Sequence, residues 1–396
     1  MGTYAIDKKR QIAHMDLDTF FVSVERLLDK KLENKPVIIG GTPFQRGVVS
    51  GCSKEARTFG IHSAMPLRHA FCLCPEAIFL RGNYVHYAEY SKLVQEIISE
   101  ISPLTEKSSV DEFYLDLSGC ERLRGNIFDW AKEIQHNVTG ETQLPISFGL
   151  GSNKLIAKVA TTEVAKKNEA KAFKVDSGSE ASFLAPLPIR SLPSIGEVTE
   201  ETLITYGMHH IGQIARTSVQ LMQRLFGKTG KRLYEYANGI DLTPVIAQRE
   251  QVTRSRAKTF AEDTFDVNVI LSTLHSLATD LAEELRSDMV MAQKVSLTLR
   301  YEDFQTITKQ RSVSYTNSTQ EIYRTVEKLL RVAWTRRNRI RLIGVGAQDF
   351  IDDLQQLYLF DSASEEKKEQ KIDSVLDTIN RKYGNQSIIY ASHLVH

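Results

Sequence analysis

The chain has 396 residues, of which 42% are hydrophobic and 25% charged, and its formal net charge is +1. This length exceeds what one hydrophobic core usually serves, so we expect two to four domains, and the near-neutral charge argues against a uniformly basic coat. The absence of a secretory core and of an apolar run long enough to span a bilayer predicts a cytoplasmic protein with no membrane partner.

The first half of the chain alternates predicted strands and helices. In chain order we predict a strand over 12–17, a helix from 20, short strands at 36–39 and 48–50, a short helix over 53–59, a long helix over 84–101, two strands around 111 and 112, a helix over 127–138, a strand over 145–150 and a helix over 153–166. Without the segment 20–81, this order is the split βαβ pattern of a ferredoxin-like sheet. The segment is therefore an insertion after the first strand.

Two of these strands carry acids beside apolar residues. Asp16 lies in the run His14–Phe21, and Asp111 and Glu112 lie in the run Ser108–Tyr114. A buried carboxylate needs a partner, and hard divalent cations prefer oxygen ligands. Alone, Asp16 would more often be a turn or cap residue. With both strands in one sheet, the acids indicate a site for two metal ions, which suits in-line displacement at phosphorus.

The second half contains a helical segment and then another α/β unit. Short helices are predicted over 177–240, a polar connection over 248–256, a helix over 269–287, strands at 295–299 and 306–313, a helix over 319–332 and a strand over 340–345. The run 334–341 contains Arg336, Arg337, Arg339 and Arg341 and suggests a phosphate-contacting stripe, although a solvated helix end fits its composition equally well.

The cysteines are spaced like free thiols, and the C-terminal segment is acidic. Cys52, Cys72, Cys74 and Cys120 match neither a disulfide framework nor a zinc spacing, so free thiols in a reducing compartment are expected. Residues 351–396 hold 8 acids against 5 basic residues, which leaves about +4 on the rest of the chain.

Five separated motifs resemble one family. They are Met15–Phe21 (MDLDTFF), Lys35–Val37 (KPV), Glu55–Pro66 (EARTFGIHSAMP), Ser109–Asp116 (SVDEFYLD) and Ser147–Lys154 (SFGLGSNK). In order and spacing they resemble the Y-family translesion DNA polymerases, in the DNA polymerase IV (DinB) class, and the segment after about 360 is more like the related UmuC class. The resemblance implies an α+β multidomain fold with a ferredoxin-like palm, a fingers insertion, a helical thumb containing a helix-hairpin-helix, and a C-terminal α/β little finger.

The resemblance also implies roles for single residues. Asp16, Asp111 and Glu112 match the catalytic carboxylates, and Leu17 would offer its carbonyl to a metal. The other matches concern the nucleotide: Phe21 is the steric gate against a ribose 2′-OH, Arg57 and Lys166 neutralise the triphosphate, and Thr19, Phe20 and Lys54 are further nucleotide-binding positions. For Phe21 an ordinary core phenylalanine is the alternative, and for Arg57 and Lys166 a plain surface charge.

Three positions depart from the family pattern. Lys54 stands where a tyrosine is usual, Gly51 where serine or threonine is common, and Lys167 where the family has proline. These changes affect the residues that would hold the triphosphate. They do not alter the carboxylates.

Two further segments resemble interaction motifs. Leu192–Gly196 is similar to the turn of a helix-hairpin-helix, in which Ile195 and Gly196 would approach a DNA phosphate through backbone amides, although a turn between packed helices fits as well. The run 355–360 resembles the peptide that binds the bacterial sliding clamp, with a simple terminal strand as the alternative. Its contacting residues would be Gln356, Leu357, Leu359 and Phe360.

The predicted domains follow from this organisation: palm over 1–19 and 82–172, fingers over 20–81, thumb over 173–245, linker over 246–255, little finger over 256–350, and a tail over 351–396. The predicted activity is low-fidelity, template-directed DNA synthesis by a monomer. It would use primer–template DNA, dNTPs, a sliding clamp and two Mg²⁺ ions, for which Mn²⁺ could substitute. The alternatives are a DNA- or clamp-binding scaffold with little catalysis and a nucleotide cyclase with a similar palm.

Overall fold

The computed structural model describes residues 10–247, 251–352, 364–384 and 387–388. The chain divides into two units, Met1–Arg249 and Glu250–His396. Each unit contains a sheet with its own hydrophobic core. None of the helices in the described residues is both long enough and apolar enough to cross a membrane. All four cysteines are free.

The first unit contains eight strands and twelve α-helices in its described part, besides three short 3₁₀-helices. The strands are β1 (Ile12–Leu17), β2 (Val37–Ile39), β3 (Gly51–Cys52), β4 (Ile78–Leu80), β5 (Thr105–Lys107), β6 (Glu112–Asp116), β7 (Ile146–Gly151) and β8 (Ala172–Lys174). The helices are α1 (Phe20–Leu28), α2 (Lys54–Arg57), α3 (Leu67–Leu73), α4 (Tyr84–Ile101), α5 (Glu121–Arg124), α6 (Ile127–Thr142), α7 (Lys154–Glu163), α8 (Glu180–Leu184), α9 (Glu197–Thr205), α10 (Ile211–Arg216), α11 (Val219–Phe226) and α12 (Lys228–Ala237).

The main sheet of this unit has the order β5-β6-β1-β7-β8. Strand β1 is antiparallel to both of its neighbours, β6 and β7. Its side chains alternate between two faces, as a strand requires. Ala13, Met15 and Leu17 enter the core formed with α4 and α6, whereas His14 and Asp16 face α7 and the turn that follows it. The central strand therefore carries Asp16 on the face covered by α7.

A smaller sheet, β3-β2-β4, belongs to the insertion. It packs with α2 and α3 around a separate core that includes Ile38, Val49 and Ala56. The predicted strand at 48–50 is wrong in position, because β3 is Gly51–Cys52 and Val48 makes only an isolated bridge to Pro66. Helix α1 shares the core of the main sheet through Phe20, although the predicted boundary assigned this residue to the fingers.

Helices α8 to α12 form a cluster whose core also includes Leu155, Ile156 and Val159 of α7. The short helices predicted over 177–240 are confirmed. Helices α11 and α12 approach closely at Gly230, where an added Cβ would lie 1.9 Å from the Met222 carbonyl oxygen. Only glycine fits at this crossing.

The second unit is built from one four-stranded sheet and its helices. Its elements are β9 (Thr253–Thr264), α13 (Val267–Ser287), β10 (Val290–Tyr301), β11 (Thr306–Thr316), α14 (Thr319–Ala333), β12 (Ile340–Asp352) and α15 (Ser364–Tyr383). The sheet order is β11-β10-β12-β9, and all pairings are antiparallel. Helices α13 and α14 cover one face and enclose the core with residues such as Val295, Leu297 and Val345.

Strand β9 corrects the sequence prediction. Residues 248–256 were expected to be a polar connection and 246–255 a linker, yet β9 begins at Thr253. It is an edge strand, and its outward face is polar. On its other face, Arg254 and Arg256 pair with Asp288 and Glu284, and only Phe260 enters the core. One apolar residue is too few to give the apolar alternation that identifies a strand.

The first unit contains a buried ion pair whose loss should be costly. Lys154 Nζ lies 2.8 and 2.7 Å from the two carboxylate oxygens of Glu106, and both side chains are buried. Replacing Glu106 with glutamine leaves a buried ammonium uncompensated, so we expect the free energy of unfolding to fall by about 3–5 kcal/mol. Urea unfolding followed by circular dichroism measures this, with Glu96→Gln in the exposed Lys92–Glu96 pair as the control. Equal effects of the two changes would contradict the prediction.

Candidate active site

The acids predicted from the sequence meet at neighbouring strand ends. In the register of β1 and β6, Asp16 lies opposite Glu112. The Leu17 amide donates a hydrogen bond of 3.0 Å to the Asp111 carbonyl, which ties the end of β1 to the residue before β6. Asp18 is not part of this group, because its buried carboxylate is directed to β7, where it accepts hydrogen bonds of 3.0 Å from Ser147 Oγ and lies 3.5 Å from Lys171 Nζ.

Ser109 organises the turn that presents the second and third acids. Its hydroxyl oxygen accepts hydrogen bonds from the amides of Asp111 (3.2 Å) and Glu112 (3.1 Å), and its hydroxyl donates to Asp111 Oδ1. A serine hydroxyl commonly closes a turn in this way. The side chain of Asp111 is therefore directed by a local contact within its own loop.

Lysines pair with two of the three acids. Lys166 Nζ lies 2.7 Å from Asp16 Oδ1, and Lys158 Nζ lies 2.9 and 2.6 Å from the two oxygens of Glu112. Burial raises the pKa of Asp16 to about 6, against the opposing effect of Lys166, and repulsion from Asp111 and Glu112 adds to the increase. The sequence analysis did not identify Lys158, although its spacing of four from Lys154 places both on one face of α7.

The pKa of Glu112 is shifted in the opposite direction from that of Asp16. Burial would raise the pKa of Glu112, but His14 and Lys158 outweigh it and lower the pKa to about 2. His14 is fully buried, its Nε2 lies 3.8 Å from Glu112 and its Nδ1 lies 3.0 Å from Thr161 Oγ1. Burial lowers the pKa of His14, which favours its neutral form, whereas Lys158 brings a positive charge directly to Glu112.

The donor set suits a hard cation. The three carboxylates and the Leu17 carbonyl are all oxygen ligands, which Mg²⁺ prefers. Burial is the main cause of the raised pKa of Asp16, and repulsion from Asp111 and Glu112 adds to it; a multivalent cation would relieve that repulsion. With the side chains in their present contacts, however, no three Asp, Glu, His or Cys residues in the described part of the chain are grouped to hold an ion.

Phe21 lies in an aromatic cluster beside this group. Its ring stacks on Tyr87 with centroids 4.4 Å apart, and Tyr84 meets it edge-on at 5.7 Å. The Tyr87 hydroxyl donates a 2.5 Å hydrogen bond to Glu25, which fixes the stack. Gly51 lies against the same ring, since an added Cβ would be 3.4 Å from Phe21 Cδ2. The sequence identified Phe21 but not the two tyrosines that support it.

The remaining nucleotide positions divide into two groups. Thr19 precedes α1 in a left-handed conformation (φ 48°), and its neighbour Phe20 has its ring in the core, which leaves only the Phe20 backbone to face a ligand. Lys54 shares a cavity of about 360 Å³ with Thr19, Arg26 and other residues. Arg57 lies exposed at the end of α2, and in the described part of the chain it makes no contact with the carboxylates.

The turn after α7 shows how Lys167, which stands where the family has proline, is accommodated. Lys167 pairs with Glu163 at 3.0 Å, one turn earlier and on the exposed surface. Its neighbour Lys166 instead reaches Asp16, and the Lys166 carbonyl accepts a 2.8 Å hydrogen bond from Lys171. Lysine at 167 therefore does not prevent Lys166 from reaching the acids.

The predicted hairpin turn is only partly suited to binding a phosphate. Ser194 has φ 76°, and α9 begins after Gly196. The Ile195 amide donates to the Leu192 carbonyl at 3.2 Å, so this bond would have to be released for the amide to bind a phosphate. The DNA-binding roles of Ile195 and Gly196 stay predictions. Arg232 of α12 reaches Ser194 Oγ at 3.4 Å and brings a positive charge that the sequence analysis did not identify.

The arginine stripe of the second unit is partly neutralised. Arg336 pairs with Asp303 at 2.7 Å, and Arg341 lies 3.9 Å from Asp263 and over the Phe304 ring. Arg337 and Arg339 are exposed.

The sheet of the second unit offers a broader polar surface, which we name the open face. It comprises the side of the sheet opposite the helices and includes Lys294, Ser296, Thr298, Arg300, Thr308, Gln310, Gly344, Gly346 and Ser255. Hydroxyl and glycine positions form its centre, and two cations lie on β10. The predicted clamp-binding residues Gln356, Leu357, Leu359 and Phe360 lie outside the described residues.

Comparisons with known proteins cover almost the whole chain. Residues 15–162 match the model of the impB/mucB/samB family, 252–359 match the C-terminal domain of that family, and 190–241 match the thumb domain of DNA polymerase-iota. The chain is 39% identical over 381 residues to a DNA polymerase IV of Dehalococcoides mccartyi, with 96% of each chain covered. That coverage includes most of residues 351–396.

Other relatives give the same picture. A DNA polymerase IV of Listeria monocytogenes is 37% identical over 341 residues (86% of this chain, 95% of the relative), and a DNA polymerase IV 2 of Methanosarcina mazei is 37% identical over 343 residues (86% and 92%). A solved Y-family DNA polymerase chimera superposes with a TM-score of 0.75 at 22% identity, covering 86% of this chain and 99% of that one. At that identity the structural match concerns the fold.

Proposed function

This chain belongs to the DNA polymerase IV class of the Y-family DNA polymerases, and from that membership we propose that it carries out low-fidelity, template-directed translesion synthesis by a two-metal-ion mechanism. A primer 3′-OH attacks the α-phosphate of a dNTP, and pyrophosphate leaves. The observation that carries the proposal is the placement of Asp16 opposite Glu112, with Asp111 adjacent, at the end of the central strand pair.

The carboxylates of Asp16, Asp111 and Glu112, with the Leu17 carbonyl, would hold the ions. Bound there, two Mg²⁺ ions would lower the pKa of the primer hydroxyl and neutralise the leaving pyrophosphate, and Mn²⁺ could substitute. The protein's own contribution is positioning, since the strand register and the Ser109 turn fix where the acids lie.

The surrounding residues would bind and select the nucleotide. Lys166, Arg57 and Lys54 supply fixed positive charge for the triphosphate, and the backbone at Thr19 and Phe20 lies at the N-terminus of α1, where amides favour an anion. The Phe21 ring, braced by two tyrosines, would occupy the space that a 2′-OH needs.

Primer–template DNA would contact the two units through different surfaces. In the first unit, Gly196 and Arg232 lie at the thumb turn. In the second unit, the open face is polar, and its β11 side, with Thr308 and Gln310, is exposed, whereas Ser296, Gly344 and Gly346 at its centre are buried. Arg300 suits the phosphate backbone, and Lys294 does so if it leaves Asp349, with which it pairs at 2.7 Å. Arg337 and Arg339 are exposed in the same unit and would add positive charge. The domain boundaries and the clamp-binding peptide stay predictions from the sequence.

Charge reversal on the open face tests the second surface. Thr308 is exposed on β11, 3.4 Å from Thr298 Oγ1. We expect Thr308→Glu to weaken primer–template binding about tenfold and Thr308→Arg to strengthen it, because each adds one charge near the phosphates. Fluorescence anisotropy at one fixed salt concentration gives both values. A change of the same sign in both variants would contradict the assignment.

Primer extension on undamaged and abasic templates, with Mg²⁺ or Mn²⁺ and with or without a sliding clamp, tests the function as a whole. Extension past the abasic site is the expected result, with more product when the clamp is present. Binding of DNA without extension in either metal would favour the scaffold alternative. A cyclic product formed from NTP without primer would favour the cyclase.

A further inference from the structure

Two lysines contact the acids that the proposed mechanism assigns to metal. Lys158 Nζ lies within 2.9 Å of both oxygens of Glu112, and Lys166 Nζ lies 2.7 Å from Asp16. Both lysines come from α7 and the turn that follows it. His14 of β1 and Thr161 of α7 hold this helix to the sheet, since Thr161 Oγ1 donates to the His14 carbonyl at 2.9 Å. The ammonium groups are thus carried by a fixed element and are not chance surface contacts.

These contacts compete with metal binding. An ammonium on both oxygens of a carboxylate repels a divalent cation that approaches the same oxygens. Lys158 and Lys166 therefore occupy oxygens of Glu112 and Asp16 that a divalent cation would need. The lysines leave only Asp111 without an ammonium contact among these three acids, and its side chain accepts a hydrogen bond from Ser109.

We propose that Lys158 and Lys166 are internal counter-ions that must release Glu112 and Asp16 before metal binds, so that metal binding is an exchange of cations. The inference rests on the proposed two-metal function and extends it with a positioning role for Lys158. After the exchange the two lysines differ. Lys166 can transfer its charge to the triphosphate of the incoming nucleotide, whereas Lys158 stays beside Glu112 and keeps metal affinity low. Full occupancy of the site then depends on the nucleotide.

The exchange and a purely structural role of the lysines predict opposite changes in metal affinity. Removing either ammonium, by Lys158→Met or Lys166→Met, should tighten Mn²⁺ binding to the full-length protein about tenfold in the absence of DNA and nucleotide. If Lys158 only held Glu112 in place, Lys158→Met would weaken Mn²⁺ binding. Both lysine side chains are about one-third exposed, so these variants should fold, which circular dichroism verifies.

The chain supplies a matched control in Lys167. It neighbours Lys166, carries the same charge and pairs with Glu163 instead of a site carboxylate. Lys167→Met therefore reports the effect of net charge alone, and we expect its Mn²⁺ affinity to stay close to that of the wild type. Lys158→Arg keeps the charge and should also stay close to the wild type.

Two measurements complete the test. Electron paramagnetic resonance of free Mn²⁺ gives metal affinity without turnover, so this result is independent of whether the wild type extends primers. Titration of dNTP at saturating Mg²⁺ onto a complex with a dideoxy-terminated primer should show about tenfold weaker binding for Lys166→Met and no change for Lys158→Met, because the metal site is then filled in both. Unchanged or weaker Mn²⁺ binding by both methionine variants would overturn the exchange. Equal dNTP affinity in both would overturn the transfer of Lys166 to the triphosphate.

Discussion

Primer extension by the Asp16→Ala or Asp111→Ala protein is expected to fall by at least about a thousandfold. Each change removes one of the three carboxylates that would hold metal against the primer end and the triphosphate, and leaves two of them at these strand ends. Single-turnover extension with saturating dNTP measures the loss directly. Raising Mg²⁺ or Mn²⁺ should restore little of it, because the missing group is a ligand and not a counter-ion.

The fold should survive these changes. Asp111 is partly exposed, and removal of the buried Asp16 leaves Lys166 a route to water. Asp116→Ala is a matched control, since Asp116 lies on the same strand as Glu112 but at the far end, opposite Ile12. We expect it to extend primers at a rate close to that of the wild type. Substantial extension by either alanine variant at 16 or 111, in protein that binds primer–template normally, would refute the metal assignment.

The Phe21→Ala protein is expected to insert ribonucleotides about a hundredfold more efficiently, relative to deoxynucleotides, than the wild type. The ring is held from behind by Tyr87 at 4.4 Å and from the side by Tyr84, so it cannot move away from a 2′-OH without breaking the stack. Alanine removes the obstacle and leaves the polymerase reaction otherwise intact. The ratio of kcat/KM for rNTP and dNTP opposite one template base gives the value.

Two further variants test whether the Phe21 ring itself excludes the 2′-OH or whether any change in the fingers alters sugar selection. Phe21→Tyr keeps the ring and should keep the discrimination. Phe44→Ala removes an exposed ring from the same insertion and should leave sugar selection unchanged. An unaltered ratio in Phe21→Ala would show that the 2′-OH is excluded by some other group.

The family and the fold class could be predicted from the sequence, and both are confirmed by the comparisons. The family was predicted from the resemblance of five motifs in order and spacing, whereas single elements were predicted from local patterns, such as the amphipathic helix over 84–101, whose bounds α4 has. Strand β9 was missed because polar and charged residues dominate both of its faces and only Phe260 enters the core. No rule based on apolar periodicity can identify such an edge strand.

The electrostatics of the candidate site could not be predicted in the same way. Lys158 and Glu112 are 46 positions apart, and His14 and Thr161 are 147 apart. Which lysine of a charged helix meets which acid depends on packing between α7 and β1, not on spacing. The same holds for the hairpin turn, where the occupied Ile195 amide and the approach of Arg232 appear only in three dimensions.

Because side chains alternate along β1, insertions and deletions in this strand have a different effect from substitutions. Substitutions at Ala13, Met15 or Leu17 alter core volume and can be absorbed by neighbours, but one inserted or deleted codon between His14 and Asp16 would turn every later side chain of the strand over. The Asp16 carboxylate would then point into the hydrophobic core, and a leucine or methionine would face α7. We therefore expect this stretch to tolerate single-residue insertions and deletions far less than substitutions. A scan of such insertions and deletions between His14 and Asp16 should find no variant that extends primers.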